Sequence, residues 1–171
     1  PAALAAAFSP NTAAVLVNSP HNPTGTVLGD DDLAEIARLA IEHDVVVISD
    51  EVYEHLLFDG RVQRPISSLP GMAERTLRIS SAAKTFSCTG WKVGWLTGPA
   101  DLVAAARAAK QFLSYVGSGP FQPAVAHALR HEMDWARRNA AELQRKRSVL
   151  SEALRTAGFD VHRSEAGYFV C

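Results

Sequence analysis

The chain has 171 residues, 47% of them hydrophobic and 20% charged, and its formal net charge is −1. That profile suits one sizeable core and part of a second, and it leaves no electrostatic footprint for nucleic acid or an anionic membrane surface. No apolar run approaches the roughly 20 residues a membrane-spanning helix needs, and two distant cysteines, Cys88 and Cys171, argue against a disulfide framework or zinc site and for a reducing, cytoplasmic setting.

The opening "PAALAAAFSP" lacks the charged start of a signal peptide and an initiator methionine, and "GYFVC" at the end stops inside what reads as a strand. A piece of a longer protein is expected. Next comes "AAVLVNS" (13–19), a short β-branched run ending in turn residues and therefore a buried strand. The following "GDDDLAEIARLAIEHD" predicts a helix with Leu33, Ile36, Ala37, Ala40 and Ile41 on one face, its aspartates placed at the positive end of the dipole. "VVVISDE" (45–51) is the clearest strand; "TLRISS" (76–81) and "VGWLTG" (93–98) are two more. "PADLVAAARAAKQFL" (99–113) predicts a helix with proline near its first turn. From Pro120 to about Ala157 the pattern stays helical, with a break near His131 to Asp134 and Gly158 in the position after the helix that favours glycine.

Strands alternating with helices predict an α/β fold, a mainly parallel sheet with helices on both faces. In such sheets ligands bind beyond the carboxyl ends of the strands. Three strands finish in polar clusters: "NSPHNPTG", "SDEVYEH" and "SSAAKTFSCTGWK". If those strands run parallel, Asn22, Asp50, Tyr53, Ser81 and Lys84 share one rim. Each has a plain structural reading as a turn, cap, core or surface residue. Only Lys84, set among serines, alanines and a glycine after an apolar strand, resists it, because lysine is costly to bury.

Together they compose the chemistry of pyridoxal 5'-phosphate. An aldehyde cofactor needs a lysine for a Schiff base, a carboxylate for its pyridine nitrogen, donors for its phenolic oxygen, and hydroxyls and cations for its phosphate. The three clusters, in this order and spacing, resemble the signatures of class I/II aminotransferases, the fold-type-I pyridoxal phosphate enzymes. The resemblance covers essentially the whole chain. It implies that Lys84 carries the cofactor and Asp50 pairs with the pyridine nitrogen. Tyr53 and Asn22 would hold the phenolic oxygen, with Asn22 also near the substrate carboxylate, and Ser81 and Lys92 would bind phosphate.

Much of the family has arginine where Lys92 stands, but a lysine point charge still suits phosphate. That departure is similar to the branch of kynurenine and methionine aminotransferases, and "FLSYVGSGPFQPAVAHAL" resembles actinobacterial N-succinyldiaminopimelate aminotransferases. The implied reaction moves an amino group between an amino acid and a 2-keto acid by a ping-pong cycle, with the freed Lys84 amine as base. The alternatives are a C–S β-lyase on the same fold and an aminotransferase-like effector domain of a transcription regulator.

The resemblance further implies that residues 1–135 belong to a large cofactor-binding domain, and residues 136–171 to an interdomain helix and the start of a smaller domain. It implies a homodimer and a cis Asn22–Pro23 bond. An upstream phosphate loop, an aromatic that stacks on the ring and an arginine for the substrate carboxylate are expected outside these residues, so the 171 residues alone are expected to be inactive. His21, "HEMDW" at 131, "GSG" at 117 and the basic "RRNAAELQRKR" carry no further chemistry: they read as loop, surface and solvated helix.

Overall fold

A computed structural model describes residues 2–171. In chain order the elements are α1 (Ala2–Ala7), β1 (Ala14–Asn18), α2 (Asp30–Glu42), β2 (Val46–Asp50), β3 (Thr76–Ser81), α3 (Ala82–Thr85), β4 (Gly94–Thr97), α4 (Ala100–Leu113), α5 (Gln122–His131) and α6 (Met133–Thr156). The four strands form one sheet in the order β1-β2-β3-β4. The pairs β1–β2 and β2–β3 are parallel, with Asn18 opposite Asp50 and Asp50 opposite Ile79. The expected α/β sheet flanked by helices is therefore present.

β4 runs antiparallel to β3, with Ser81 opposite Gly94. The physical reason lies in the connection. A parallel return usually needs a full crossover helix, whereas the connection from 82 to 93 holds only the four-residue α3 and a three-residue helical turn at Thr89–Trp91. The chain turns back along the strand it has just left.

The main core forms where α2 covers β1 and β2. Leu33, Ile36, Ala37, Leu39 and Ala40 pack with Val17, Val45, Val47, Ile66, Met72 and Phe8. The aspartates of the "GDDD" stretch occupy the first turn of α2 as expected, and Asp32 also accepts the Gly29 N–H at 3.2 Å. The buried face differs from the expected one by one residue. Leu39 is in the core, and Ile41 is 45% exposed. Both residues sit about 100° from the centre of the apolar stripe, on opposite sides; contact with the sheet selects the Leu39 side.

The helix break expected near His131 to Asp134 is the junction of α5 and α6. Gly158 takes φ +91° just beyond α6 and donates to the Arg155 carbonyl at 2.9 Å, closing that helix as glycine is suited to do. The end of the chain, read from sequence as a strand, is not one. Its strand-like pairing is limited to one antiparallel bridge, Leu57 to Ala166. The Tyr168 hydroxyl donates to the Lys84 carbonyl at 2.8 Å. A lone segment with no neighbouring strand has no ladder to complete. Among the described residues no helix is long and apolar enough to cross a membrane.

Candidate active site

The sequence motifs meet at the carboxyl ends of β1, β2 and β3. Beyond β1 the chain turns through two cis peptide bonds, Ser19–Pro20 and Asn22–Pro23; the second was expected, the first was not. Asn18 ties this turn to its neighbour. Its side-chain amide donates to the Asp50 carbonyl at 3.1 Å and the Pro20 carbonyl at 3.2 Å, and its Oδ1 accepts the Asn22 N–H at 2.9 Å. Sequence reading passed over Asn18 as the last residue of a strand. An asparagine at a strand end facing a parallel neighbour was the available signal.

The turn brings Asn22 back over β2, where its Nδ2 donates to the Tyr53 hydroxyl at 3.3 Å. Tyr53 is only 3% exposed and packs with Leu56 and Ala140. Burial pushes its phenol above the usual value, the nearby Tyr168 and Asp50 charges add to that rise, and the Asn22 hydrogen bond opposes it. Asp50 ends β2 half-buried, with its Oδ1 accepting the Val52 N–H at 3.2 Å.

Lys84 sits on α3, and its small neighbours now have a reason. Ala82 and Ala83 are buried, so a larger side chain at either position would have to displace this one-turn helix. The helix is held by the Ala82 N–H donating to the Val93 carbonyl at 3.1 Å and by the Thr85 hydroxyl donating to the Ser81 carbonyl at 3.2 Å. The half-buried Lys84 amine lies 5.8 Å from the Tyr53 ring centroid. It enters none of the ion pairs formed among the described residues. The amine is kept near a phenol and away from carboxylates that would hold its charge. Ser81, Lys84 and Lys92 line one open cleft of about 410 Å³, with Thr89 and Gly94. Lys92 reaches that cleft from a left-handed backbone position, φ 55°.

Five of the six sequence-picked residues thus meet in two linked groups: Asn22 with Tyr53, and Ser81 with Lys84 and Lys92, joined by the Lys84–Tyr53 contact. Asp50 stands beside Tyr53 and raises its phenol. Tyr168, also missed in sequence, braces both groups. Besides bonding the Lys84 carbonyl, its ring meets that of Tyr53 edge-on, centroids 5.7 Å apart. Burial pushes its own phenol up. Only the tertiary fold brings residue 168 to residue 84.

The family model for class I and II aminotransferases matches residues 2–171. The chain belongs to the class I and II aminotransferase family. A protein of Mycobacterium tuberculosis named "Probable N-succinyldiaminopimelate aminotransferase DapC" is 54% identical over 169 residues, covering 99% of this chain and 43% of that protein. The kynurenine–oxoglutarate transaminase of Dictyostelium discoideum is 43% identical over 171 residues, covering 98% of this chain and 39% of its own length. This aminotransferase chain therefore spans well under half of the curated relatives it matches. Among solved structures, N-succinyldiaminopimelate aminotransferase from M. tuberculosis superposes with TM-score 0.96 at 54% identity, covering 98% of this chain and 44% of that one. YbdL of Escherichia coli, with a methionine aminotransferase function, superposes with TM-score 0.92 at 35% identity, covering 99% and 44%.

Proposed function

We propose that this chain forms the cofactor-binding part of a pyridoxal 5'-phosphate-dependent aminotransferase, which moves an amino group between an amino acid and a 2-keto acid in a ping-pong cycle. The observation that carries the reading is the free Lys84 amine 5.8 Å from the face of Tyr53, whose hydroxyl is bonded to Asn22. The donor set fits the cofactor: Lys84 for its aldehyde carbon, Asp50 for its pyridine nitrogen, Asn22 and Tyr53 for its phenolic oxygen, Ser81 and Lys92 for its phosphate. When bound, pyridoxal phosphate supplies an electron sink that lets an amino acid lose its Cα proton.

The rest belongs to the protein. Freed by the incoming amino acid, the Lys84 amine would take the substrate Cα proton and deliver it to the cofactor's former aldehyde carbon, acting first as general base and then as general acid. Asp50 would pair with the pyridine nitrogen and keep it in the protonated state that strengthens the sink. The Tyr53 phenol, raised further by burial, is neutral at pH 7 and would donate a hydrogen bond to the phenolic oxygen. Lys92 provides a point charge for phosphate.

The substrate reading is N-succinyldiaminopimelate with a 2-keto acid partner, supported by the 54% identity to the M. tuberculosis protein. We assign residues 1–135 to the large cofactor-binding domain and 136–171 to an interdomain helix and the start of a smaller domain; α6 begins at Met133, so that boundary falls in its first turn. A homodimer is supported by the exposed apolar run Phe112, Leu113, Tyr115 and Val116. The cytoplasm suits the two free thiols, Cys88 and Cys171. Borohydride reduction of the full-length holoenzyme followed by peptide mapping tests the core of the reading. The pyridoxyl group is expected on Lys84; a label on Lys92 or Lys110 would overturn it.

A further inference from the structure

Directly behind the candidate site lies an ionic network with no part in the chemistry above. Along β2 side chains alternate, so Ser49 and Glu51 face the opposite side of the sheet from Asp50. Arg78 pairs in register with Ser49, and Ile79 with Asp50, which puts Arg78 and Ser80 behind the sheet while Ser81 faces forward with Asp50. Glu51 is 1% exposed. Its Oε2 accepts from Arg78 Nε at 2.9 Å and from a terminal guanidinium nitrogen at 2.6 Å, and its Oε1 accepts from the Ser49 hydroxyl at 2.8 Å. The same guanidinium nitrogen reaches Glu54 at 3.3 Å, and Glu54 also accepts from the Ser80 hydroxyl.

Every member of this network except Arg78 itself neighbours a member of the site in sequence. Glu51 follows Asp50, Glu54 follows Tyr53, and Ser80 precedes Ser81. The guanidinium fork therefore joins the end of β2 to the end of β3 from behind. A planar, charge-assisted fork fixes geometry as well as distance, which separate hydrogen bonds do not. Two carboxylates here have one guanidinium between them, so its loss would leave a buried negative charge unmatched at the junction.

We infer that Arg78 is a positioning residue of the active site: by bridging Glu51 and Glu54 behind the sheet, it sets the separation between Asp50 and Tyr53, at and just beyond the end of β2, and Ser81 and Lys84, at and just beyond the end of β3. The inference rests on the proposed assignment of those four residues to the cofactor. Catalytic groups displaced by about 1 Å lose up to about 10²-fold in rate, and this bridge adds to the β2–β3 ladder in opposing such a displacement just beyond the strand ends.

The test uses the full-length protein and three variants at the network. Arg78→Met removes the fork and charge at similar length; Arg78→Lys keeps the charge; Glu54→Gln breaks only the outer link. Each is measured for pyridoxal phosphate affinity, kcat and KM of the amino donor, and melting temperature. Arg78→Met is expected to weaken cofactor binding by roughly tenfold and to lower kcat by about 10- to 100-fold with a smaller change in KM, as the positioning argument requires. Arg78→Lys should recover part of the kcat loss, and Glu54→Gln should show a smaller loss in the same direction.

The double variant Arg78→Met with Glu51→Gln removes the unmatched charge. It should regain melting temperature without regaining cofactor affinity. A lowered melting temperature with unchanged cofactor affinity and kcat would reduce Arg78 to a scaffold residue and overturn the inference, and if Arg78→Met does not fold, unchanged values in Glu54→Gln would do the same. Lys84→Ala is the separate control. Retention of a covalent cofactor label in that variant would overturn the site assignment itself, whatever Arg78 does.

Discussion

At the scale of single residues, the site works by giving like groups unlike surroundings. Asp50 is half-buried and sits beside a phenol, whereas the next residue, Glu51, is sealed behind the sheet against Arg78. Of the two, Asp50 is the one on the side of the proposed cofactor site. Asp50→Asn in the complete enzyme should keep the Lys84–cofactor linkage and lose at least about 10²-fold in kcat, the scale of losing one preorganised electrostatic contact. Near-normal turnover would make Asp50 structural. Tyr53 offers a second reading by titration. Its phenol is raised above the ordinary 10.0 by burial first, then by Tyr168 and Asp50, while the Asn22 bond lowers it. Asn22→Ala should therefore move the Tyr53 midpoint further up, followed through tyrosinate absorbance in the cofactor-free protein. A downward move would contradict the geometry. The sign for stability follows: a phenol raised on folding contributes fully below about pH 10, and that contribution is lost as pH climbs through the raised value.

At the scale of elements, the functional loops are held by the C-terminal segment as much as by the sheet. Gly25 has φ +70°, and a Cβ there would stand 2.2 Å from Ser164 Oγ and 2.6 Å from the Ala166 carbonyl. Its own carbonyl accepts the Glu165 N–H at 2.9 Å. The glycine of "NPTG" is thus required twice, by its backbone angle and by the close approach. Gly25→Ala should cost about 2 kcal/mol or more, from the left-handed angle plus the clash, measured as a shift in denaturant midpoint; an unchanged midpoint would mean that the loop does not rest on this segment. Two ion pairs fasten the same region. Arg147 holds Asp59 at 2.7 and 3.0 Å and donates to the Ser164 carbonyl at 2.7 Å. Arg61 Nε holds Glu165 at 2.9 Å.

Arg147 keeps the Asp59 carboxyl below its ordinary 3.8. At Glu165 burial pushes upward, but the Arg61 bond and the Val27 N–H outweigh it, and the carboxyl ends below its ordinary 4.5. Groups lowered on folding contribute stability above their ordinary values and lose it as pH falls through the depressed ones. Resistance to urea unfolding should therefore weaken as pH drops below about 4. Arg147→Met should be less stable at pH 7 and should show a shallower acid loss. An unaltered slope would mean that the Asp59 pair contributes nothing.

At the scale of the whole molecule, the described chain leaves much apolar surface in water. Phe112 is 92% exposed and Leu113 85%, with Tyr115, Val116 and, on β1, Leu16 also largely open. Contiguous patches of this kind mark surfaces that other protein covers. With the chain spanning 43% of its M. tuberculosis relative, the isolated 171 residues should self-associate in light scattering and show no keto-acid-dependent turnover when supplied with pyridoxal phosphate. Saturable two-substrate transamination by the isolated chain would refute this.

What the sequence determined by itself was local and short in range. Periodicity placed α2, α4 and the α5–α6 break within a residue or two, because apolar spacing and end signals such as Gly158 act within one element. The polar clusters at three strand ends pointed to the proposed site, because a lysine among small residues has little other use. Decisions between elements were left to the tertiary structure. Leu39 and Ile41 flank the α2 stripe symmetrically, so only the position of the sheet chose between them. The antiparallel return of β4 depended on how little chain α3 takes up. Asn18, Tyr168 and Arg78 each look ordinary along the sequence; they acquire their roles from partners 32, 84 and 27 residues away, and contacts at that separation exist only once the chain has folded.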